Sequence, residues 1–197
     1  MKLLVFSDIH GDWAALERLL AVEADYYIAA GDLANFTRGL DRAAELLLAR
    51  RDQVWILPGN HEHESATAAL CEKHGFGHLH RQSFEAAGFH IAGLGHSNPT
   101  PFDTPGESSE TELAERLEPF AALEPLILIC HCPPLNTPLD EAGPGRHFGS
   151  AAVASFIQRV QPDWFFCGHI HEAAGRKAQF GRTIAVNAGR KGYLLEV

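Results

Sequence analysis

The chain has 197 residues, 46% of them hydrophobic, and a formal net charge of −9. That is ample apolar material for one buried core and too ordinary a composition for disorder, so a single domain over residues 1–197 is expected. The acidic balance excludes an extended nucleic-acid footprint, which needs Lys and Arg along it; a small phosphorylated substrate stays open, because bound cations reverse the local field.

Residues 3–6 are an apolar run ending at Ser7-Asp8 and read as a buried strand. Residues 12–20 carry helical spacing, with Asp12 placed to cap them. Residues 26–30 form a second strand closed by Gly31-Asp32, residues 40–48 a helix, and residues 54–57 a third strand closed by Pro58-Gly59-Asn60-His61. A helix over residues 64–74 completes an alternation that predicts an α/β fold with a largely parallel first sheet. Residues 79–87 and 89–94 read as a hairpin turning at Ala87-Gly88. After a loop over residues 95–106, rich in Pro, Gly and Asn, come a helix (110–120), an apolar strand (126–129) ending at His131, and a second Pro/Gly-rich loop (132–145). A helix (150–160), a strand (164–167) ending at Gly168, a hairpin (178–181 with 183–186) and a final strand (193–197) close the chain. Long loops in a compact domain point to function.

The four cysteines, Cys71, Cys130, Cys132 and Cys167, show no C-x-x-C spacing and read as buried reduced thiols. The apolar run at residues 3–6 is too short for a signal-peptide core, and nothing approaches a membrane span, so a cytoplasmic protein is expected.

Five polar clusters each follow an expected strand: Asp8-Ile9-His10, Gly31-Asp32, Gly59-Asn60-His61-Glu62, His131, and Gly168-His169-Ile170-His171. Ligands of open α/β sheets bind at the carboxyl ends of the strands, so these clusters are placed to converge on one rim. Singly, each has a bland reading as a strand end, a turn or a cap. Together they gather Asp, His and Asn with no counter-charge, which is unfavourable unless something cationic sits among them. Eight candidates, Asp8, His10, Asp32, Asn60, His61, His131, His169 and His171, exceed what one ion needs, so two divalent ions of the Mn, Fe or Zn type are the economical reading. A shared carboxylate is the natural bridge.

This series resembles the calcineurin-like metallophosphoesterase superfamily over nearly the whole chain. Residues 95–102 (Gly-His-Ser-Asn-Pro-Thr-Pro-Phe), His131-Cys132-Pro133-Pro134, His147-Phe148-Gly149-Ser150 and Gly168-His169-Ile170-His171-Glu172 are similar to an archaeal and bacterial branch. That branch is related to the animal metallophosphoesterase domain-containing proteins. The resemblance implies a four-layer α/β/β/α sandwich, two mixed sheets packed face to face and flanked by helices. It implies one ion held by Asp8, His10, Asp32 and His171 and another by Asp32, Asn60, His131 and His169, with Asp32 bridging. It also implies attack on phosphorus by a hydroxide that bridges the ions, with His61 protonating the leaving oxygen or stabilising the transition state.

The phosphoprotein-phosphatase branch follows Gly-Asp with an acidic residue and a phosphate-gripping arginine; here Asn35 and Phe36 stand at those positions. A phosphodiester is therefore expected over a phosphomonoester, with Asn35 orienting His61 and with Phe36, Pro133, Pro134 and Leu135 as an apolar wall. Arg146, His147 and His96, on the two long loops, are further candidate substrate contacts, and His147 precedes Gly149-Ser150 at a helix start that suits an anion. The expected partner is a small phosphorylated substrate, without extended nucleic acid or membrane; oligomerisation is left open. A non-catalytic scaffold, as in the retromer subunit that resembles this superfamily, would not need the full ligand set with His61. A repair-type nuclease would need basic runs that this chain lacks.

Overall fold

A computed structural model describes residues 1–197. Two sheets pack face to face. The first has the order β11-β1-β2-β3-β4, built from β1 (Lys2–Phe6), β2 (Tyr26–Ala30), β3 (Val54–Leu57), the two-residue β4 (Gly77–His78) and β11 (Tyr193–Glu196). Its neighbours pair in parallel except β11, which runs antiparallel to β1. The second has the order β5-β6-β7-β8-β10-β9, from β5 (Gln82–Ala86), β6 (Phe89–Leu94), β7 (Leu126–Cys130), β8 (Trp164–Cys167), β9 (Lys177–Phe180) and β10 (Thr183–Asn187). Here β6, β7, β8 and β10 are parallel and the flanking β5 and β9 antiparallel.

Side-chain alternation divides each strand between two cores. In β1, Leu3 and Val5 face the second sheet, in a cluster with Ile28, Leu57, Ile127, Ile129, Phe166 and Val186. Leu4 and Phe6 face the other way, under α1 (Trp13–Leu20), α2 (Leu40–Leu47) and α3 (Glu64–His74). On the second sheet Leu126, Leu128, Cys130, Phe165 and Cys167 face outward beneath α4 (Glu110–Leu117) and α5 (Ala151–Val160). Strands buried on both faces explain the unbroken apolar runs in the sequence. The layers are helices, sheet, sheet, helices. No helix is long and apolar enough to cross a membrane.

Local chemistry sets the element ends. Asp12 caps α1 by accepting from the Ala15 amide at 3.0 Å, and Ser109 with Glu112 forms a full capping box on α4. Ala87 and Gly88, both at positive φ, turn the β5–β6 hairpin. The expected strand over residues 79–87 starts later, at Gln82, because Arg81 has φ 59 and breaks the extended run. All four cysteines are free and buried, and burial pushes the Cys71 and Cys132 thiols up to about 12, so they are inert at neutral pH.

Candidate metal centre and active site

The parallel strands of both sheets end on the same side, and the five polar clusters leave them there. The backbone at this rim is contorted. Asp8, His10, Asp32 and His169 all hold positive φ (57, 47, 54 and 67). Non-glycine residues in that region are strained by about 1–2 kcal/mol each, a feature that gathers at functional sites. Two glycines permit the close approach: a Cβ on Gly59 would lie 2.0 Å from Asp32 Oδ1, and one on Gly168 2.1 Å from Ser7 Oγ.

The side chains converge in two groups that share Asp32. In the first, His171 Nε2 lies 3.5 Å from Asp8 Oδ1 and 3.1 Å from His10 Nε2, and His10 Nε2 is 3.5 Å from Asp32 Oδ2. In the second, His131 Nε2 is 3.4 Å from the same Asp32 Oδ2 and 3.1 Å from Asn60 Oδ1, which is 2.9 Å from His169 Nδ1. Ligand bonds of ~2.1 Å around one ion place donor atoms roughly 3–3.4 Å apart, so these separations suit a divalent metal.

The hydrogen bonds behind the rings support the same reading. His10 donates Nδ1–H to Asn35 Oδ1 at 2.8 Å, and His131 donates Nδ1–H to the Ala30 carbonyl at 2.9 Å. Each ring therefore presents its Nε2 lone pair inward, the arrangement that orients metal-binding imidazoles. The acidic and basic groups at the centre also favour each other's charged forms. Burial opposes charging of His131, but the Asp32 carboxylate overrides it and pushes His131 up to about 9. Burial likewise works against ionisation of Asp32 and Asp8, yet His131 holds Asp32, and His171 holds Asp8, below the usual carboxylate range. Burial, with the charge on His131 behind it, pushes His169 down to about 4. The donor set is thus carboxylate, imidazole and amide oxygen, with Asp8, Asp32, Asn60 and His131 buried and His171 open to solvent; it lacks any Lys or Arg and fits divalent metal.

His61 stands beside the two groups. Its ring meets His10 at 4.8 Å and Phe36 at 4.9 Å, both edge to face, and it lines the adjoining cavity. Its Nδ1 is buried without a partner, and burial above all lowers its pKa. Asn35, expected to orient His61, is occupied with His10: besides the ring contact, its Nδ2 donates to the His10 carbonyl at 3.1 Å. Phe36 is what packs on His61.

Three positioning residues escaped the sequence reading. Glu62 is buried, and its carboxylate accepts from the amides of Ala34 (2.9 Å), Asp32 (2.9 Å) and Gly59 (2.8 Å), tying the loops after β2 and β3 together. Asn187, at the end of β10, donates to the carbonyls of Leu139, Gly168 and Ile170, each at 3.1 Å, and so holds the loop that carries His169 and His171. Thr104 accepts from Asn60 Nδ2 at 3.1 Å, which turns Asn60 Oδ1 toward the histidines. Only Glu62 had a signal in the sequence, as the last member of Gly59-Asn60-His61-Glu62.

A cavity of ≈ 420 Å³ opens beside the centre, lined by His10, Asp32, Asn60, His61, His169 and His171 on one side. Pro99, Pro101, Phe102, Phe148 and Arg146 form the other. Of the expected substrate contacts on the long loops, Arg146 is brought to it and two are not. His147 turns away and pairs with buried Asp140 at 2.8 Å, and the α5 N-terminus behind it already holds an anion, the Glu110 carboxylate, 2.7 Å from the Ala152 amide. His96 is buried against Ser108 and Arg116. Pro133 and Pro134 are buried too, so the apolar wall comes from Pro99, Pro101, Phe102 and Phe148 in their place.

Glu64, His80 and His96 form another His-carboxylate group. Its chemistry is different. His80 Nδ1 accepts from the Gly95 amide at 2.9 Å and His96 Nδ1 accepts from Arg116 at 3.2 Å, so the Nε2 atoms of the neutral rings carry hydrogen rather than lone pairs. With the Arg116 cation also present, this is a hydrogen-bonded cluster, not a metal site.

Comparison with known proteins agrees with this geometry. The model of the calcineurin-like phosphoesterase family matches residues 1–173. The uncharacterized protein MJ1162 of Methanocaldococcus jannaschii is 30% identical over 202 residues, covering 99% of this chain and 91% of that protein. Among solved structures, TT1561 of Thermus thermophilus superposes with a TM-score of 0.74 at 18% identity, over 98% of this chain and 97% of that one. The phosphopantetheinyl hydrolase PptH of Mycobacterium tuberculosis gives 0.68 at 16% identity, over 95% and 88%. At such identities the structural likeness speaks for the fold.

Proposed function

The chain belongs to the calcineurin-like phosphoesterase family, and from that premise we propose that it is a two-metal phosphodiesterase acting on a small substrate. Metal-dependent hydrolysis of phosphate esters is what the family and the His/Asp groups support in general. The observation that carries the finer reading is Asp32 Oδ2, which stands 3.5 Å from His10 Nε2 and 3.4 Å from His131 Nε2, between the two donor groups.

In this reading Asp8, His10, Asp32 and His171 would hold one ion and Asp32, Asn60, His131 and His169 the other. Bound divalent ions of the Mn, Fe or Zn type supply Lewis acidity toward water and the phosphoryl oxygens. The chain's own residues do the rest. Asn35 and the Ala30 carbonyl fix the inward-facing nitrogens of His10 and His131. Glu62 and Asn187 hold the loops in place. His61 faces the cavity from beside the centre and forms no carboxylate dyad; it offers an N–H to the oxygen that leaves.

The diester preference rests on charge. A monoester dianion gains from a cation that grips its additional charge, and the cavity has a single Lys or Arg, Arg146. A diester carries one negative charge and a second ester group that suits the apolar wall. The test is kcat/KM for bis(p-nitrophenyl) phosphate against p-nitrophenyl phosphate under one metal condition. Diester preference is expected. A monoester preference that disappears in Arg146→Ala would overturn it and assign the specificity to that loop.

A further inference from the structure

We propose that the cavity beside the centre is a seat for a planar aromatic substituent, an aryl or nucleobase group carried on the phosphate ester and held against Phe102 and Phe148. This rests on the phosphoesterase reading above and adds the chemical class of the group that the ester carries.

The chain has 12 Phe. Three of them are exposed, Phe36 by 53%, Phe102 by 75% and Phe148 by 51%, and all three stand at this one place. Phe102 and Phe148 line the cavity that His10, Asp32 and His61 share, and the Phe36 ring lies against His61. Single exposed apolar residues are ordinary, but a group of them around a concave site marks a binding surface.

The rings are also braced. Phe102 donates its amide to Thr100 Oγ1 at 3.2 Å, and Glu107 gathers the loop around it by accepting from the Thr104 amide at 2.9 Å and the Thr104 hydroxyl at 2.6 Å. Phe148 sits on the loop organised by buried Asp140, which accepts from the amides of Thr137 at 2.7 Å and Gly149 at 2.9 Å and from His147 at 2.8 Å. Exposed rings on loops tied down this way are presented, and holding them in place beforehand lowers the entropy cost of binding.

The shape of the wall selects the ligand. Its apolar members are two phenyl rings, two proline rings (Pro99 and Pro101), Ala142 and Ile170, and Arg146 adds a planar guanidinium. Flat surfaces favour a flat partner, stacked on the rings or under the guanidinium. At ≈ 420 Å³ the cavity lies at the small-ligand end of binding sites, with room for one ring system next to a phosphate and too little for a protein segment.

The test compares three phosphonates, phenyl, cyclohexyl and methyl, by calorimetric titration into the metal-loaded protein. Phenylphosphonate is expected to bind roughly tenfold or more tighter than methylphosphonate, the scale of one stacked ring, and tighter than its cyclohexyl counterpart of similar size. Replacing both rings, Phe102→Ala with Phe148→Ala, is expected to remove most of the phenyl advantage; both side chains are exposed, so an unchanged thermal midpoint checks that the variant folds. Equal affinity of the phenyl and methyl compounds, or a phenyl advantage that survives the double replacement, overturns the seat. A cyclohexyl affinity equal to phenyl overturns its planarity. The parent reading is judged separately, by hydrolysis of bis(p-nitrophenyl) phosphate. Turnover without a phenyl advantage sinks the seat alone, and a phenyl advantage without turnover of any ester sinks the hydrolase reading alone.

Discussion

Glu62 is where the cost of building the centre can be measured. Replacing it with Ala leaves three amides, those of Asp32, Ala34 and Gly59, without their acceptor in a buried place. Each orphaned buried donor costs about 1–3 kcal/mol. Against that, the native carboxylate is itself costly: burial first, then the charge of Asp32, push Glu62 up to about 7 despite the three amides that favour its ionised form. Removing it recovers about 3 kcal/mol on that account. The net loss expected for Glu62→Ala in metal-free protein is therefore about 3 kcal/mol. Glu62→Gln keeps an oxygen for the Asp32 and Gly59 amides but turns an NH2 toward Ala34; one orphaned donor, about 2 kcal/mol, against the same recovery of about 3 kcal/mol leaves it near wild-type stability. Urea unfolding in the presence of a chelator reads this directly, and with a slope of about 2 kcal/mol/M the Ala variant's midpoint should fall by about 1.5 M. Equal losses for the two variants would mean that side-chain volume, not amide acceptance, is what Glu62 supplies, and the reasoning would fail.

Asp32→Ala should lower the bound-metal content at both positions by elemental analysis after reconstitution with Mn, and His10→Ala mainly at one; a saturating content of one ion per wild-type chain would sink the two-metal proposal. His61→Asn should lower turnover by about 10²–10⁴-fold with metal retained, and loss of metal along with activity would make His61 a ligand. Because His10 has φ 47, His10→Gly should be more stable than His10→Ala in chelator by about 1 kcal/mol, and the reverse order would show that no strain is stored there. Burial pushes His80 down to about 2 and His96 down to about 4, both below the ~6.5 of an unfolded chain, so the unfolded state binds more protons and stability falls as pH drops from about 6.5 toward 4. Each ring adds a slope of about 1.4 kcal/mol per pH unit, and His96→Gln should flatten the measured dependence by about that amount; an unchanged slope would refute it.

Much of the architecture could be read from strand and helix periods, because strands buried on both faces are plainly apolar and each ends in a short polar cluster. Those clusters reach the rim within a few residues of a strand end, which leaves little freedom in where they lie, and this is why Asp8, Asp32, Asn60, His131 and His169 meet as their order suggested. What no period encodes is conformation inside the clusters. The positive φ of Asp8, His10, Asp32 and His169 is a tertiary outcome, forced on residues with no intrinsic preference strong enough to announce it. The choice of His10 over His61 as the partner of Asn35 is of the same kind, since both rings lie within reach of the loop after β2 and only the fold decides between them.

The two long loops obey another rule, and it explains why the residues lining the cavity were the least legible. Their direction is set by single carboxylates, Glu107 in one and Asp140 in the other, each gathering amides and hydroxyls from nearby residues. Such a hub turns neighbouring side chains in opposite directions. Once Asp140 has taken His147, the residues on either side, Arg146 and Phe148, are the ones that face the cavity. Likewise the loop that buries His96 against Arg116 is the one that carries Phe102 out to the rim. Histidine drew attention at positions 96 and 147 because it is the residue of chemistry, yet in both loops histidine became the anchor and phenylalanine the residue that lines the cavity. The centre and the outer wall of the cavity are thus held by separate devices. The strand ends fix the first, while Glu107 and Asp140 fix the second, so changes in the two loops can reshape the wall without moving the groups that gather around Asp32.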